Sequence, residues 1–150
     1  MNITGIWKRN MVHRLFLDAN VILDYTLKRP KWHRASKFIL EKVVEGEYKG
    51  AVSPVVVHIV SYILGKHLGP ERTKKIMLAL LNDVKVIDTP HKVILQAMSS
   101  DWPDIEDSIQ YFTALHHRID LIVSRDEGFI KKAMPALPVI HPEDFVKTFR

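Results

Sequence analysis

A chain of 150 residues, 47% of them hydrophobic and 26% charged, has the size and composition of one folded domain with its own core. It contains no cysteine, which excludes disulfide staples and thiolate metal ligands and fits a cytoplasmic protein. The formal charge of +5 favours a polyanionic partner, nucleic acid above all.

In chain order, residues 1–12 read as an appended arm, with Trp7 as its candidate anchor, and residues 13–150 as the domain. Met1 to Arg14 lacks the apolar segment of a secretory leader. Val12 to Leu17 predicts a first strand, and Val21 to Leu27 a helix stopped by Pro30. Trp32 to Val44 carries a helical stripe of Ala35, Phe38, Ile39 and Val43, and Gly46 closes it. Tyr48 to Val52 predicts a second strand. Ser53-Pro54 then supplies an N-cap serine and a first-turn proline, so the run to Lys66 is read as a helix despite the β-branched Val55-Val56-Val57. The apolar stretch Val55 to Leu64 is broken by His58 and Ser61 and is too short to span a bilayer, so no membrane partner is expected.

Glu71 to Leu81 predicts a helix, Val84 to Ile87 a strand, and Pro90 to Met98 a further helix. Asp104 to His117 is helical, with Ile105, Ile109 and Phe112 on a core stripe. Leu121-Ile122-Val123 is a fourth strand, Phe129 to Met134 a short helix, Leu137 to Ile140 a last strand, and Pro142 to Phe149 a terminal helix. Alternating strands and helices predict an α/β fold, a three-layer α/β/α sandwich around a central parallel sheet.

In such a sheet chemistry sits beyond the carboxyl ends of the strands. Asp18 ends the apolar run Leu15-Phe16-Leu17, and Asp126 follows Leu121-Ile122-Val123-Ser124 in the same way. Asp104 and Asp107 stand three apart at a helix start, inside an acidic run with Asp101 and Glu106. Asp104 has the alternative of a plain N-cap, and Asp126 that of an Asx-turn. Asp24 lies farther along the first helix, either behind the acids or at the surface. Carboxylates brought to one crevice repel unless protonated or bridged by a cation, and oxygen ligands suit Mg²⁺ or Mn²⁺. Such a centre hydrolyses phosphodiesters, in keeping with the basic charge.

The stretches Leu15-Phe16-Leu17-Asp18-Ala19-Asn20-Val21-Ile22-Leu23-Asp24, Asp104-Ile105-Glu106-Asp107-Ser108-Ile109-Gln110 and Leu121-Ile122-Val123-Ser124-Arg125-Asp126 together resemble the PIN-domain family of nucleases. The resemblance covers about residues 13–148 and is strongest to bacterial members related to the toxins of toxin–antitoxin pairs. It implies the same three-layer fold, a Mg²⁺ or Mn²⁺ site, single-stranded RNA as substrate, an antitoxin protein as partner and a homodimer. By motif match Asp18, Asp107 and Asp126 are the catalytic, metal-binding acids, Asp104 assists, and Asn20 and Ser124 orient them, with Asp24 in support. Lys28, Arg29 and Arg125 are the candidate phosphate contacts.

The chain departs from the family in the helix that starts at Ser53-Pro54. The glutamate expected there falls at Ile59, beside His58. His58 is the candidate substitute ligand or proton carrier, against the plainer reading of a packed or surface histidine. Two functions therefore stand: a metal-dependent endoribonuclease, and a catalytically weakened domain that binds RNA or protein. Small-molecule phosphatase chemistry ranks below both, because no Asp-x-Asp pair follows the first strand.

Overall fold

Leu15, Phe16 and Leu17 have no polar alternation, so the strand that carries them must be covered on both faces. In a computed structural model describing residues 12–150, β1 (Arg14–Leu17) is the middle strand of five, and these three side chains are wholly buried. Trp7 and the rest of the expected arm lie outside the described residues. The core reaches back to Val12, which is itself buried.

The other strands are β2 (Lys49–Val52), β3 (Val84–Val86), β4 (Leu121–Val123) and β5 (Val139–Ile140), in the order β3-β2-β1-β4-β5. Every pairing is parallel, with Leu15 opposite both Gly50 and Leu121. The helices are α1 (Ala19–Thr26), α2 (His33–Val44), α3 (Pro54–Leu68), α4 (Pro70–Leu81), α5 (His91–Ser99), α6 (Ile105–His116), α7 (Glu127–Lys132) and α8 (Pro142–Phe149). They cover both faces of the sheet and complete the expected sandwich. None of them is long and apolar enough to cross a membrane.

The chain runs outward from β1 through β2 to β3, then returns to the other side of β1 for β4 and β5. The order therefore reverses between β1 and β4, which places a crevice at their carboxyl ends.

Several boundaries differ from the sequence reading by one or two residues, those of α1 and α3 among them. Helix α1 begins at Ala19 rather than Val21, because the Asp18 carboxylate accepts the Ala19 N–H and caps it at once. Helix α3 continues past Lys66 to Leu68. Its valines are helical because Ser53 Oγ accepts the Val56 N–H at 3.2 Å and Pro54 pre-sets the first turn.

Two aromatic groups tie the layers together. Tyr48 meets Phe145 and Phe149 edge-on, joining the start of β2 to α8. Trp102 packs 4.7 Å from Tyr111 and 5.7 Å from Phe129, so the loop before α6 is held by the core. The Tyr111 hydroxyl donates to the Leu137 carbonyl at 2.6 Å and accepts the Met134 N–H at 2.9 Å, fixing the entry to β5.

Candidate active site

The register of β1 and β4 sets the centre of the site. The Asp18 N–H donates to the Val123 carbonyl at 3.1 Å, continuing the ladder one residue beyond the strand. Asp18 and Ser124 thus emerge side by side at the switch point. Ser124 Oγ donates to Asp18 Oδ2 at 2.6 Å and accepts the Asp126 N–H at 3.1 Å. Asn20 joins both turns, its Nδ2 donating to Asp18 Oδ2 and Ser124 Oγ while its Oδ1 accepts the Arg125 N–H. Gln110 on α6 reaches Asp18 Oδ1 through Nε2 at 3.5 Å.

Asp18 is 6% exposed. Burial raises its carboxyl above the ordinary range against the hydrogen bonds from Ser124, Ala19 and Gln110, which pull the other way.

The remaining acids come from helix starts. Asp104 Oδ1 accepts the Asp107 N–H at 2.9 Å and caps α6, while Asp126 Oδ1 accepts the Gly128 and Phe129 N–H groups and caps α7. The plain capping roles weighed for Asp104 and Asp126 are therefore present, alongside any further one. A side chain at position 128 would press within 3.3 Å of Asp126 Oδ1, so glycine there leaves the carboxylate its place.

Asp107 is different. It is 8% exposed, and among the described residues its carboxylate has no hydrogen-bond partner. Burial first, then the charges of Asp104, Asp126, Asp18 and Glu106, push its carboxyl up to about 7. Glu106, seen in the acidic run but not singled out, is raised by burial and by Asp18, Asp104 and Asp126. The acids are thus near enough to repel one another. Among the described residues, though, no three His, Asp or Glu side chains stand close enough to ligate one ion as placed.

The Asp107 shift has a measurable sign. The folded chain keeps this proton up to pH about 7, whereas an unfolded aspartate loses it near pH 4. Asp107 therefore contributes stability in acid that is lost as the pH rises through 7. Thermal unfolding in chelator at pH 5 and pH 8 should show Asp107→Asn with a shallower pH slope than the parent and a higher Tm at pH 8. An unchanged slope would show that Asp107 is not the buried, repelled acid.

Asp24 proves wholly buried rather than at the surface. Arg125 Nε and Nη2 donate to its two oxygens at 2.6 and 3.0 Å, and Arg29 Nη1 approaches at 3.3 Å. The Arg125 guanidinium also lies over the Trp32 ring, 4.5 Å from its centroid. Of the candidate phosphate contacts, Arg29 and Arg125 are thus engaged behind the acids. Lys28 stands with Tyr25, His33 and Lys37 around a separate depression and has no side-chain partner among the described residues. His58 is exposed and touches none of the acids, while Ile59 packs half-buried against the core.

Gln110 is the residue the sequence reading passed over. It lies three positions after Asp107 on the same helix, a spacing that puts both on one face.

A family model for the PIN domain matches residues 14–128. Ribonuclease VapC1 of Aquifex aeolicus is 23% identical over 137 residues, 88% of this chain and 92% of that protein. Among solved structures, a toxin–antitoxin complex from Klebsiella pneumoniae aligns with a TM-score of 0.62 at 21% identity, over 85% of this chain and 97% of that one. VapC20 of Mycobacterium tuberculosis, described as a sarcin–ricin loop cleaving toxin, aligns with a TM-score of 0.64 at 13% identity, over 83% and 98%.

Proposed function

Because the chain belongs to the PIN-domain family, we propose that it is an endoribonuclease that hydrolyses single-stranded RNA with Mg²⁺ or Mn²⁺ held by Asp18, Asp107 and Asp126. One observation carries this reading. Asp18 and Asp126 follow the two strands that flank the switch point, Asp107 lies in the first turn of α6 near enough to feel their charges, and it has no protein partner to offset its own. An all-oxygen donor set under mutual repulsion fits a hard divalent cation. A cation bound there would activate water and offset charge on the phosphoryl oxygens.

The chain's own residues do the rest. Ser124, Asn20 and Gln110 fix Asp18 in one orientation, and Asp104 sets the first turn of α6 so that Asp107 faces inward. Helices α1, α6 and α7 all start at the crevice, and their N-terminal partial charges favour phosphate and carboxylate alike. Phosphate contact beyond the crevice falls to Lys28 and to the donors of Arg29 and Arg125 that Asp24 leaves over.

The similar Klebsiella pneumoniae structure is a toxin–antitoxin complex, which supports an antitoxin protein as partner and a toxin as the role, and a cytoplasmic location belongs to the same reading. A homodimer is part of the same reading, with α3 and α4, which carry the exposed Tyr62 and Leu78, as its candidate face.

The test is direct. Labelled single-stranded RNA should be cut in the presence of Mn²⁺ and left intact when EDTA is added, and calorimetry should detect Mn²⁺ binding. A second reading, a weakened domain that binds RNA or protein, is favoured by Ile59 standing where the family carries an acid. No Mn²⁺ binding at millimolar concentration, with RNA binding kept, would select it.

A further inference from the structure

Helices α2 and α8 pack on each other, and the buried Phe145 and Phe149 hold α8 to the core. Their outer faces leave a cleft of about 510 Å³. Spacings of three and four set Arg34, Ala35 and Phe38 on one face of α2, and Glu143, Val146 and Lys147 on one face of α8. Lys31, in the turn before α2, and Arg150, after α8, line the same cleft. Phe38 and Val146 are half-buried and give it an apolar floor, while the charged residues are exposed.

Elsewhere on this surface lysines are paired: Lys37 with Glu41, Lys42 with Glu45 and Glu47, and Lys132 with Asp101. Lys31, Arg34 and Lys147 form no ion pair among the described residues, although Glu143 shares their cleft. The cleft also connects with the acids. Lys31 Nζ lies 4.6 Å from the centroid of the Trp32 ring, and the Arg125 guanidinium 4.5 Å from the same centroid. Basic groups thus continue from the cleft to the segment that carries Ser124 and Asp126.

We propose that the cleft between α2 and α8 is a binding track for the phosphate backbone of single-stranded RNA, leading to the acid crevice past Lys31 and Arg125. The inference rests on the reading of RNA as substrate and adds to it a site away from the acids. A groove of lysine and arginine follows a phosphate backbone without regard to sequence. An acidic polypeptide would match the charge of the cleft but would gain nothing from its continuity with the acids.

The test is binding of a labelled RNA of about 20 uridines, longer than one such groove spans, in EDTA so that nothing is cut. The full chain is compared with two triple variants. Lys31→Gln/Arg34→Gln/Lys147→Gln removes three cations of the cleft, and Lys75→Gln/Lys85→Gln/Lys92→Gln removes three exposed lysines that do not line it. The cleft variant should bind roughly tenfold or more weakly, and its slope of log K against log salt should flatten by about 2, from three phosphate contacts at about 0.7 each. The second variant should stay near the parent in both. In Mn²⁺ the defect of the cleft variant should appear in KM rather than kcat.

An equal loss in both triple variants would reduce the effect to net charge, overturning the inference while leaving the nuclease reading intact. So would a cleft variant that binds RNA like the parent but loses affinity for poly-glutamate, which assigns the cleft to an acidic protein. A parent that binds RNA through the cleft yet cuts none in Mn²⁺ keeps the inference and removes the nuclease reading. A parent that binds no RNA removes both. The substituted side chains are exposed, so the Tm should hold. If the cleft variant does not fold, Lys147→Glu alone decides, and parental RNA affinity overturns the proposal.

Discussion

Asp18→Asn should abolish RNA cleavage, by on the order of a thousandfold or more, equivalent to about 4 kcal/mol of barrier, while the Tm stays within a few degrees of the parent's. The loss follows from charge. Asp18 sits between the turns that carry Asn20, Ser124 and Asp126, and an amide there cannot hold a divalent cation as a carboxylate does. The fold survives because the substitution is nearly isosteric and its polar neighbours adapt. One amide oxygen still accepts the Ala19 N–H, and the Ser124 hydroxyl can turn to accept from the new NH₂. Removing a buried carboxylate that burial already disfavours offsets what the cap loses. Cleavage assays, Mn²⁺ calorimetry and thermal unfolding on one preparation separate the effects. Metal-dependent cleavage at the parent rate would remove Asp18 from the mechanism, whereas a collapse in Tm would show its main role to be capping.

The fold was legible in the sequence wherever one local signal decided the outcome. Apolar runs ending in acids located β1 and β4, and Ser53-Pro54 outweighed the strand preference of three valines because a capped terminus fixes the first turn. The parallel order was implied by alternation, yet the reversal between β1 and β4 lies in long-range pairing that no local pattern carries. The site divides in the same way. Asp18, Asp107 and Asp126 were readable as acids at element ends, and the register of β1 with β4 accounts for Ser124 meeting Asp18.

Two residues were opaque for physical reasons. Gln110 looked like any polar residue within a helix, and its burial becomes visible only once α6 is laid against the crevice. Arg125, read as a phosphate contact, lies in sequence beside Ser124 and Asp126 and 101 positions from Asp24, so nothing local announced their pairing.

That pairing supports a second large effect. Arg125→Met should cost about 3–5 kcal/mol, the range for stripping one partner from a buried ion pair, and at roughly 2–4 °C per kcal/mol should lower the Tm by about 10 °C. The argument lies in the asymmetry of burial. The Asp24 side chain is 1% exposed and that of Arg125 22%, so an abandoned guanidinium can turn to water whereas an abandoned carboxylate cannot. The single Arg29 contact at 3.3 Å is a poor replacement for two bonds at 2.6 and 3.0 Å. Asp24→Asn alone should therefore cost less than Arg125→Met, and the double variant should recover part of the loss because no unpaired charge stays inside. Urea and thermal unfolding of the three variants measure this directly. A cost below about 1 kcal/mol for Arg125→Met would mean that the pair leaves stability untouched. The same pair bears on the chemistry through geometry. The Arg125 N–H is held by Asn20 Oδ1, so the residue between Ser124 and Asp126 is tied to α1 at both backbone and side chain. Loosening it should broaden the placement of Asp126 and lower cleavage in Arg125→Met even at temperatures where the fold is intact.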